Sequence, residues 1–223
     1  MIRFVTPDDI PGVRSLIKEC FGCDDAYLDL YLERNPAPRR MCCIEEGRVV
    51  AFLAAFPVDY ISGDISGGFH RTWHGYYLHG LCTAPEHRNR GHAAALIDYC
   101  ASTTSRDGWE FLILRPQSGD NRLVKYYHKL GFTIELSRKT NLPECESPAN
   151  IVARHAGELF LDRYKKLRCN FFQWSAPMLH YIIREARLNS GSGGISSPYA
   201  MIRPFSTDFR LSSPDAVFSY PMD

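Results

Sequence analysis

The spacing of apolar and polar residues in the first half of the chain predicts one strand, two helices and a hairpin. IRFVTPDD alternates like a strand and ends in residues that begin helices, and IPGVRSLIKECF follows at helical spacing. A second short helix is expected over DDAYLDLYLERN. RRMCCIEE and VVAFLAAFPVDYIS, separated by Gly47, are typical of a hairpin. These segments give the order strand, helix, helix, strand, strand.

In the second half, strands and helices alternate. HGYYLHGLCTA predicts a strand, and GHAAALIDYCASTTSRDG predicts a helix that stops at Gly108. WEFLILRP and FTIELSRKT are strand-like, and GDNRLVKYYHKLG between them predicts a helix ending at Gly131. This alternation implies right-handed crossovers with some parallel pairing. We therefore expect an α+β (mixed α/β) fold with helices around one sheet.

After Thr140 the composition changes, and NLPECESPAN has the turn residues of a linker. ANIVARHAGELFLDRYKKL and APMLHYIIREARL have helical spacing, NSGSGGISSP is typical of a flexible loop, and YAMIRPF and DAVFSYP are expected to form short strands. The predicted organisation is a domain over residues 1–140 and a smaller α/β extension over residues 141–223. Stabilising a sheet edge and forming a homodimer are equally good accounts of this extension.

The amino-acid composition and net charge argue against several classes of protein. The 223 residues carry a formal net charge of +1, which predicts no general attraction to nucleic acid or membrane. No apolar run approaches the roughly 18 residues of a membrane span. MIRFVTPDDI lacks the apolar stretch of a signal peptide, so a cytoplasmic location and reduced thiols are expected. Cys20 and Cys23 form a C-x-x-C without a second ligand pair, so no metal is expected.

HRNRGHAAAL, residues 87–96, stands where a predicted strand passes into a predicted helix. The first turn of a helix has unpaired N–H groups and a partial positive charge. Gly91 lets a phosphate approach the backbone, and the small side chains of the alanines after it leave room for the ligand. Arg88 and Arg90 add positive charge. Solvated loop charges around a turn glycine are the alternative. The combination suits a pyrophosphate, although neither common phosphate-loop motif is present.

Arg88, Gly91 and Ala93 form R-x-x-G-x-A, which resembles the pyrophosphate loop Gln/Arg-x-x-Gly-x-Gly/Ala of the GNAT superfamily of acyl-CoA-dependent N-acetyltransferases. The lead-in LCTAPEHRNRG and the later YHKLGF, residues 127–132, also have the family's form. The order of elements agrees from residue 1 to about residue 140. The resemblance implies a central mixed, mostly antiparallel sheet flanked by helices. In larger members, elements such as the C-terminal extension wall the acceptor site.

The resemblance further implies that acetyl-CoA is the co-substrate, with its pantetheine arm along the strand before the loop. Backbone N–H groups around Leu81 to Thr83 are the expected oxyanion donors. Asp120 occupies the position where members often carry Asn, seven residues before the motif tyrosine. The residues expected to bind the cofactor are Leu81, Cys82, Thr83, Arg88, Asn89, Arg90, Gly91, His92, Ala93 and Asp120.

The expected reaction is direct attack of a neutral amine on the thioester within a ternary complex. An alkylamine has a pKa near ~10.4, so holding it neutral at pH 7 costs about 4–5 kcal/mol, and a base lowers that cost. Tyr127 matches the family's general acid, and an aromatic packed on the sheet is its alternative. His79 is the best candidate base, sharing a strand face with Tyr77 and Leu81 by the two-residue period.

Other assignments remain open. His74 and Glu86 are weaker candidates for the base, and His87 and His92 flank the loop. The acceptor is a small-molecule or peptide amine, and acidic residues of the first two helices either face it or form a solvated surface: Asp24, Asp25, Asp29 and Glu33. A non-catalytic CoA-binding sensor or scaffold is the alternative function. A nucleic-acid binder built on Arg88 and Arg90 is disfavoured, because basic and aromatic residues do not interleave.

Overall fold

Eight strands and four α-helices make up most of the regular structure in the part of the chain described by a computed structural model. The described residues are 1–33, 38–64, 68–116, 121–137, 171–175, 177–179, 181, 184, 199–205, 207–209 and 211. In chain order the elements are β1 (Ile2–Phe4), α1 (Ile10–Phe21), α2 (Asp25–Leu32), β2 (Arg39–Glu45), β3 (Arg48–Asp64), β4 (Phe69–Thr83), α3 (His92–Arg106), β5 (Phe111–Leu114), α4 (Asn121–Lys129), β6 (Ile134–Ser137), β7 (Phe171–Trp174) and β8 (Tyr199–Pro204).

All eight strands belong to one sheet with the order β1-β2-β3-β4-β5-β8-β6, and β7 pairs with β3 beside this path. Neighbouring strands are antiparallel, except that β4 and β5 run parallel, with Gly75 opposite Phe111 and Tyr77 opposite Ile113. The predicted mixed, mostly antiparallel sheet is confirmed. The single parallel pair follows from the crossover through α3, which returns the chain in the same direction.

The helices cover both faces of the sheet and bury two apolar clusters. On one face α1 buries Val13, Leu16 and Ile17, whose spacing places them on one side of a helix. On the other face α3 packs with Leu96 and Ile97 in the second cluster. None of the helices in the described ranges has the length and apolar character needed to cross a membrane.

Residues from the predicted extension contribute strands to the same sheet. β8 lies between β5 and β6, with Ile202 opposite Ile113 on one side and Ala200 opposite Leu136 on the other. YAMIRPF was expected to be a strand, and it forms β8. β7 is a correction, because no strand was predicted at FFQW; pairing with the far end of β3 holds it extended. The division at residue 140 stays a prediction about folding units.

Four of the C-terminal predictions lie outside the described residues: the linker NLPECESPAN, the helix over 149–167, the loop NSGSGGISSP and the strand DAVFSYP. Within the second predicted helix, APMLHYIIREARL, residues 177–179, 181 and 184 are described, and all are helical. Tyr181 is buried there and stacks on Phe56 of β3, with ring centroids 5.3 Å apart. This segment therefore packs on the face of the sheet that carries α1 and α2.

Candidate cofactor and active site

The parallel strands β4 and β5 pair along only part of β4. Their register covers Gly75 to Tyr77, after which β4 continues to Thr83 while β5 ends at Leu114. Among the described residues, no strand pairs with the last part of β4 on the β5 side. The backbone of β4 therefore presents an open edge that leads directly to the start of α3.

A β-bulge changes the direction of β4 just before this edge. His79 is opposite Ala54 and Cys82 is opposite Phe52, so Gly80 and Leu81 together face the single residue between Phe52 and Ala54. Gly80 has φ of 67°, and a Cβ atom on it would lie 2.2 Å from the Tyr31 hydroxyl oxygen. That hydroxyl donates a hydrogen bond to the carbonyl of His79 at 3.1 Å. The bulge thus needs glycine for both conformation and space.

The bulge corrects one prediction about strand faces. Tyr77 belongs to the cluster on the α1 face, together with the rings that surround His79, whereas Leu81 packs against the cluster on the α3 face. The two-residue period predicted one shared face for all three. The extra residue at Gly80 shifts the alternation by one, which turns Leu81 to the other side of the sheet.

Beyond the bulge, alternate amides of β4 face the open edge. The N–H of Ala84 donates to the carbonyl of Val50 in β3 at 2.9 Å. In an antiparallel ladder the next amide along the strand points the other way, so the N–H groups of Thr83 and Leu81 face away from β3. The Thr83 carbonyl accepts from Arg88 Nε at 3.2 Å. The strand therefore offers amide donors at the edge that β5 leaves open.

Cys82, between these two residues, has a different role in the structure. Its side chain is buried on the α1 face beside the thiol of Cys20, and burial raises the pKa of the Cys82 thiol strongly. A neutral thiol at this position packs as a small apolar group. By the same alternation its amide faces β3. Of the three predicted strand residues, Leu81 and Thr83 therefore have the geometry of donors to a ligand.

The predicted pyrophosphate loop forms the turn between β4 and α3. Gly91 caps α3 with φ of 83°, and Asn89 also has a positive φ of 62°. A Cβ atom on Gly91 would meet nothing within 4 Å, so the space directly beside this residue is open. Ala93 lies in that first turn. Exposed first-turn amides at a helix N-terminus bind anions well.

Both loop arginines are exposed and anchored to the backbone. Arg90 donates to the carbonyl of Glu86 at 3.0 Å, and Arg88 donates to Thr83 as described above. Each guanidinium has five N–H donors, so these single bonds leave most of its donors available. The arrangement concentrates positive charge around the N-terminus of α3, which fits a doubly charged diphosphate.

Tyr127 lies on α4, on the α3 face of the sheet. Its ring contacts those of Phe132 and Tyr126, with centroids 5.8 Å and 5.4 Å away. Burial, helped by neighbouring Tyr126, raises the pKa of Tyr127 to about 12. The phenol is therefore protonated at neutral pH and can donate a hydrogen bond. The predicted cofactor contact Asp120 lies outside the described residues.

His79 lies on the opposite face from Tyr127 and is surrounded by aromatic rings. The ring centroids of Tyr31, Tyr77 and Phe56 are 5.5, 5.9 and 6.0 Å from the imidazole. The structure therefore does not bring the two predicted catalytic side chains into contact; they lie on either side of β4. Sequence reasoning missed Tyr31 and Phe56, because only the fold brings α2 and β3 against β4.

The weaker candidates for the base have other surroundings. His74 Nδ1 lies 2.7 Å from Asp59 Oδ1 on the exposed part of the sheet. Glu86 lies on the exposed turn that leads to the loop. His87 and His92 both direct a ring nitrogen to Glu45, at 2.9 Å and 3.4 Å. The histidines beside the loop thus face a carboxylate.

The acidic residues around α2 form ion pairs or cap the helix. Asp25 and Asp29 pair with Arg14 of α1, and Asp24 accepts the amide of Tyr27 at 2.8 Å. Glu33 and Arg184 form a two-bond ion pair, with both distances 2.7 Å. These contacts favour a solvated, paired helix surface over a site for a cationic amine.

The model of the "Acetyltransferase (GNAT) family" matches residues 10–132, which is more than half of the chain. The chain belongs to the GNAT acetyltransferase family. The match begins with α1, includes the open edge of β4 and the loop, and ends at Phe132 beside Tyr127. No curated protein matches the sequence significantly.

Solved structures with the same fold are distant in sequence. Eis1 from Mycobacterium abscessus is 13% identical and superposes with a TM-score of 0.59, covering 93% of this chain and 54% of Eis1. A GCN5-related N-acetyltransferase from Anabaena variabilis is 16% identical with a TM-score of 0.57, covering 82% and 48%. YhbS from Escherichia coli, solved in complex with CoA, is 21% identical with a TM-score of 0.46, covering 60% and 68%. This GNAT chain spans about half the length of the first two.

Proposed function

We propose that this GNAT chain transfers an acetyl group from acetyl-CoA to a primary amine of a small molecule or peptide. The observation that carries the proposal is the open edge of β4 ending at the exposed N-terminus of α3. A pantetheine arm has amide groups that can pair with the strand, and a diphosphate fits the loop at its end. Family membership supports acetyl transfer as the reaction class.

In the proposed cofactor site, two groups of residues bind different parts of acetyl-CoA. The amides of Leu81 and Thr83 bind the pantetheine arm and stabilise the oxyanion. The loop residues Arg88, Asn89, Arg90, Gly91, His92 and Ala93 hold the diphosphate with backbone N–H groups and guanidinium donors. Asp120 remains a proposed contact from the residues before α4.

The proposed chemistry uses both faces of the sheet. The amine approaches from the aromatic side, where His79, directly or through water, accepts its proton as nitrogen attacks the thioester carbon. The C–S bond then breaks, and the thiolate departs toward the α4 side, where Tyr127 donates to it. Separating the two groups across β4 lets both substrates be bound at once, which supports a ternary complex over an acyl-enzyme.

The raised pKa of Tyr127 favours one of two proposed roles for this phenol. A thiol has a pKa near 8.5, so complete proton transfer from a phenol with a pKa of about 12 to a thiolate is unfavourable by about 5 kcal/mol. Donation of a hydrogen bond to the developing thiolate has no such cost. We therefore expect Tyr127 to stabilise the departing sulfur, and the thiolate to take its proton from water.

The test combines cofactor binding with turnover. Acetyl-CoA and CoA should raise the melting temperature, because they bind the folded form, and a panel of amines should release free thiol from acetyl-CoA. Tyr127→Phe should lower kcat by about 10²-fold while CoA affinity is retained. Tyr126→Phe, one residue away on the same helix, is the matched control and should keep kcat.

The possible outcomes separate the alternatives. Tight CoA binding without turnover on any amine would make the chain a sensor or scaffold module. No melting shift at millimolar acetyl-CoA would overturn the cofactor site itself. Equal losses in Tyr127→Phe and Tyr126→Phe would remove Tyr127 from the mechanism while leaving the family's reaction in place.

A further inference from the structure

Three potential metal ligands meet behind the loop between β4 and α3. Glu45 ends β2, His87 precedes the loop and His92 begins α3. His87 Nδ1 lies 2.9 Å from Glu45 Oε2, and His92 Nε2 lies 3.4 Å from Glu45 Oε1. One ligand atom from each side chain lies within 4.8 Å of the other two. The fold thus joins residues that are far apart in sequence into one cluster.

The ring of His92 directs its Nε2 into this cluster. Its side chain is 11% exposed, and Nε2 is a buried nitrogen without a well-formed hydrogen bond. Its other nitrogen, Nδ1, lies 3.6 Å from the sulfur of Cys43. In the tautomer that carries the ring proton on Nδ1, the lone pair of Nε2 faces a carboxylate, and the two repel unless a cation lies between them.

The spacing of the three ligands suits a small divalent cation. Bonds of about 2.0–2.2 Å in a tetrahedral site place neighbouring ligand atoms about 3.3–3.6 Å apart. The contacts of Glu45, at 2.9 Å and 3.4 Å, use its two different oxygens, and the three ligand atoms lie within 4.8 Å, so small side-chain rotations would bring them to tetrahedral spacing. Two imidazoles and one carboxylate are a ligand set typical of zinc and related metals, and Cys43 supplies the outer contact that orients such a histidine.

We propose that Glu45, His87 and His92 form a binding site for one divalent transition-metal ion of the Zn²⁺ class, completed by water. The cation compensates the carboxylate and accepts the lone pair of His92. The nearest opposing charge among the contacts of Glu45 is Arg90, 4.0 Å away. Because that side chain is 57% exposed, it can turn toward solvent when the metal binds.

Metal binding at this site ties the end of β2 to both ends of the loop. His87 and His92 enclose residues 88–91, whose backbone carries the two positive φ angles. Fixing both flanks should order the loop and place a positive charge near the N-terminus of α3. The test of the metal site does not depend on the proposed function, since Zn²⁺ binding is measured without acetyl-CoA, although His92 also belongs to the loop proposed to hold the diphosphate.

The experiment uses full-length, tag-free protein treated with a chelator and kept reduced. Titration with ZnCl₂, followed by calorimetry, should show one equivalent bound. Glu45→Gln and His92→Gln should each weaken binding at least about tenfold. His128→Gln is the matched control, because His128 Nε2 forms a comparable 2.7 Å contact with Glu135, and no third ligand joins this pair among the residues that the structure describes. It should bind Zn²⁺ like the unaltered protein.

Co²⁺ absorption separates this site from the cysteines. Nitrogen and oxygen ligation gives d–d bands without an intense thiolate charge-transfer band. The proposal is overturned if no metal binds at millimolar concentration, if the thiolate band dominates, or if Glu45→Gln and His92→Gln bind like the control. His87→Gln, at a side chain that is 23% exposed, repeats the test if His92→Gln does not fold.

Discussion

Gly80 shows how one residue without a side chain positions the open edge of β4. Its positive φ creates the bulge, and the Tyr31 hydroxyl occupies the space where a Cβ atom would lie. Because the bulge shifts the alternation of β4, it also decides which side chains reach each face of the sheet. A single small residue therefore separates the His79 face from the Leu81 face.

Gly80→Ala should lower the free energy of unfolding by about 1–3 kcal/mol, because alanine is strained at this φ and its methyl group displaces Tyr31. Urea denaturation measures the change. Gly22→Ala is the matched control: its φ is also 67°, but nothing lies within 4 Å of the added atom. Equal losses in the two variants would show that the Tyr31 contact contributes nothing.

Asp9 gives the stability a pH dependence. Hydrogen bonds from Arg3, at 2.8 Å, and from the Thr6 amide, at 2.7 Å, hold the pKa of this buried carboxyl far below its usual value. The contribution is present above the unfolded-state pKa of about 3.9 and is lost progressively as the pH falls below it.

Asp9→Asn should therefore cost about 1.5–3 kcal/mol at pH 7, and the difference from the unaltered protein should narrow below about pH 4. Urea unfolding across this pH range measures both effects. A penalty that stays constant from pH 7 to pH 3 would mean that packing, not the ionised carboxylate, provides the stabilisation.

At the residue scale, the sequence predicted what depends on neighbouring positions and missed what depends on the fold. Arg88 and Gly91 were placed correctly in the turn before α3, since helix-start chemistry is local. The predicted sheet face of Leu81 was wrong, because the bulge that determines it depends on how β4 pairs with β3. The cluster around Glu45 was missed, because β2 meets the loop only in the folded sheet.

At the element scale, the described helical residues near 181 pack on the face of the sheet that carries His79 and its surrounding aromatic rings. Two contacts of different strength hold them there. Tyr181 is buried on Phe56, whereas Arg184 forms an exposed ion pair with Glu33. Burial of a large ring contributes far more than an exposed ion pair. The packing of this segment on β3 should therefore depend chiefly on Tyr181.

Tyr181→Ala should cost about 3–5 kcal/mol, as other truncations of buried aromatic residues do, while Arg184→Ala should cost less than about 1 kcal/mol. Thermal or urea unfolding compares the two. If the amine binds near His79, Tyr181→Ala should also raise KM for the amine and leave KM for acetyl-CoA unchanged. Similar stability losses in both variants would contradict this division.

The positions of α1 and α3 were predicted more accurately than that of the late strand β7. The spacing in IPGVRSLIKECF located α1 as observed, and GHAAALIDYCASTTSRDG contains α3. The strand β7 was missed, because its four residues, FFQW, directly precede a segment with helical spacing and are too few to show the alternation of a strand. Its extended form comes from pairing with Val58 to Ile61 of β3, a contact between distant parts of the chain.

At the scale of the whole molecule, the sheet is complete only when both ends of the chain contribute. β8 supplies the antiparallel partner of both β5 and β6, and β6 pairs with no other strand in the described ranges. The first 140 residues therefore lack the strand that joins β6 to the rest of the sheet. The sequence could not reveal this, because a change in composition does not show where a later strand inserts.

A chain ending at residue 140 should fail to unfold cooperatively, since two of its strands lose their common partner. Circular dichroism during a urea titration measures cooperativity, with the full chain as reference. Adding residues 141–223 as a separate polypeptide should restore the transition. A cooperative transition of residues 1–140 alone, at unchanged urea concentration, would show that they fold independently.

The position of β8 has a consequence for synthesis. A ribosome makes β5 and β6 well before it makes Tyr199–Pro204, so the nascent chain exposes two unsatisfied strand edges while more than sixty residues are added. Apolar residues such as Leu112 and Leu136 are then accessible to other newly made chains. Slow translation of the intervening residues or the absence of chaperones should therefore favour aggregation of this protein before its final strand is made.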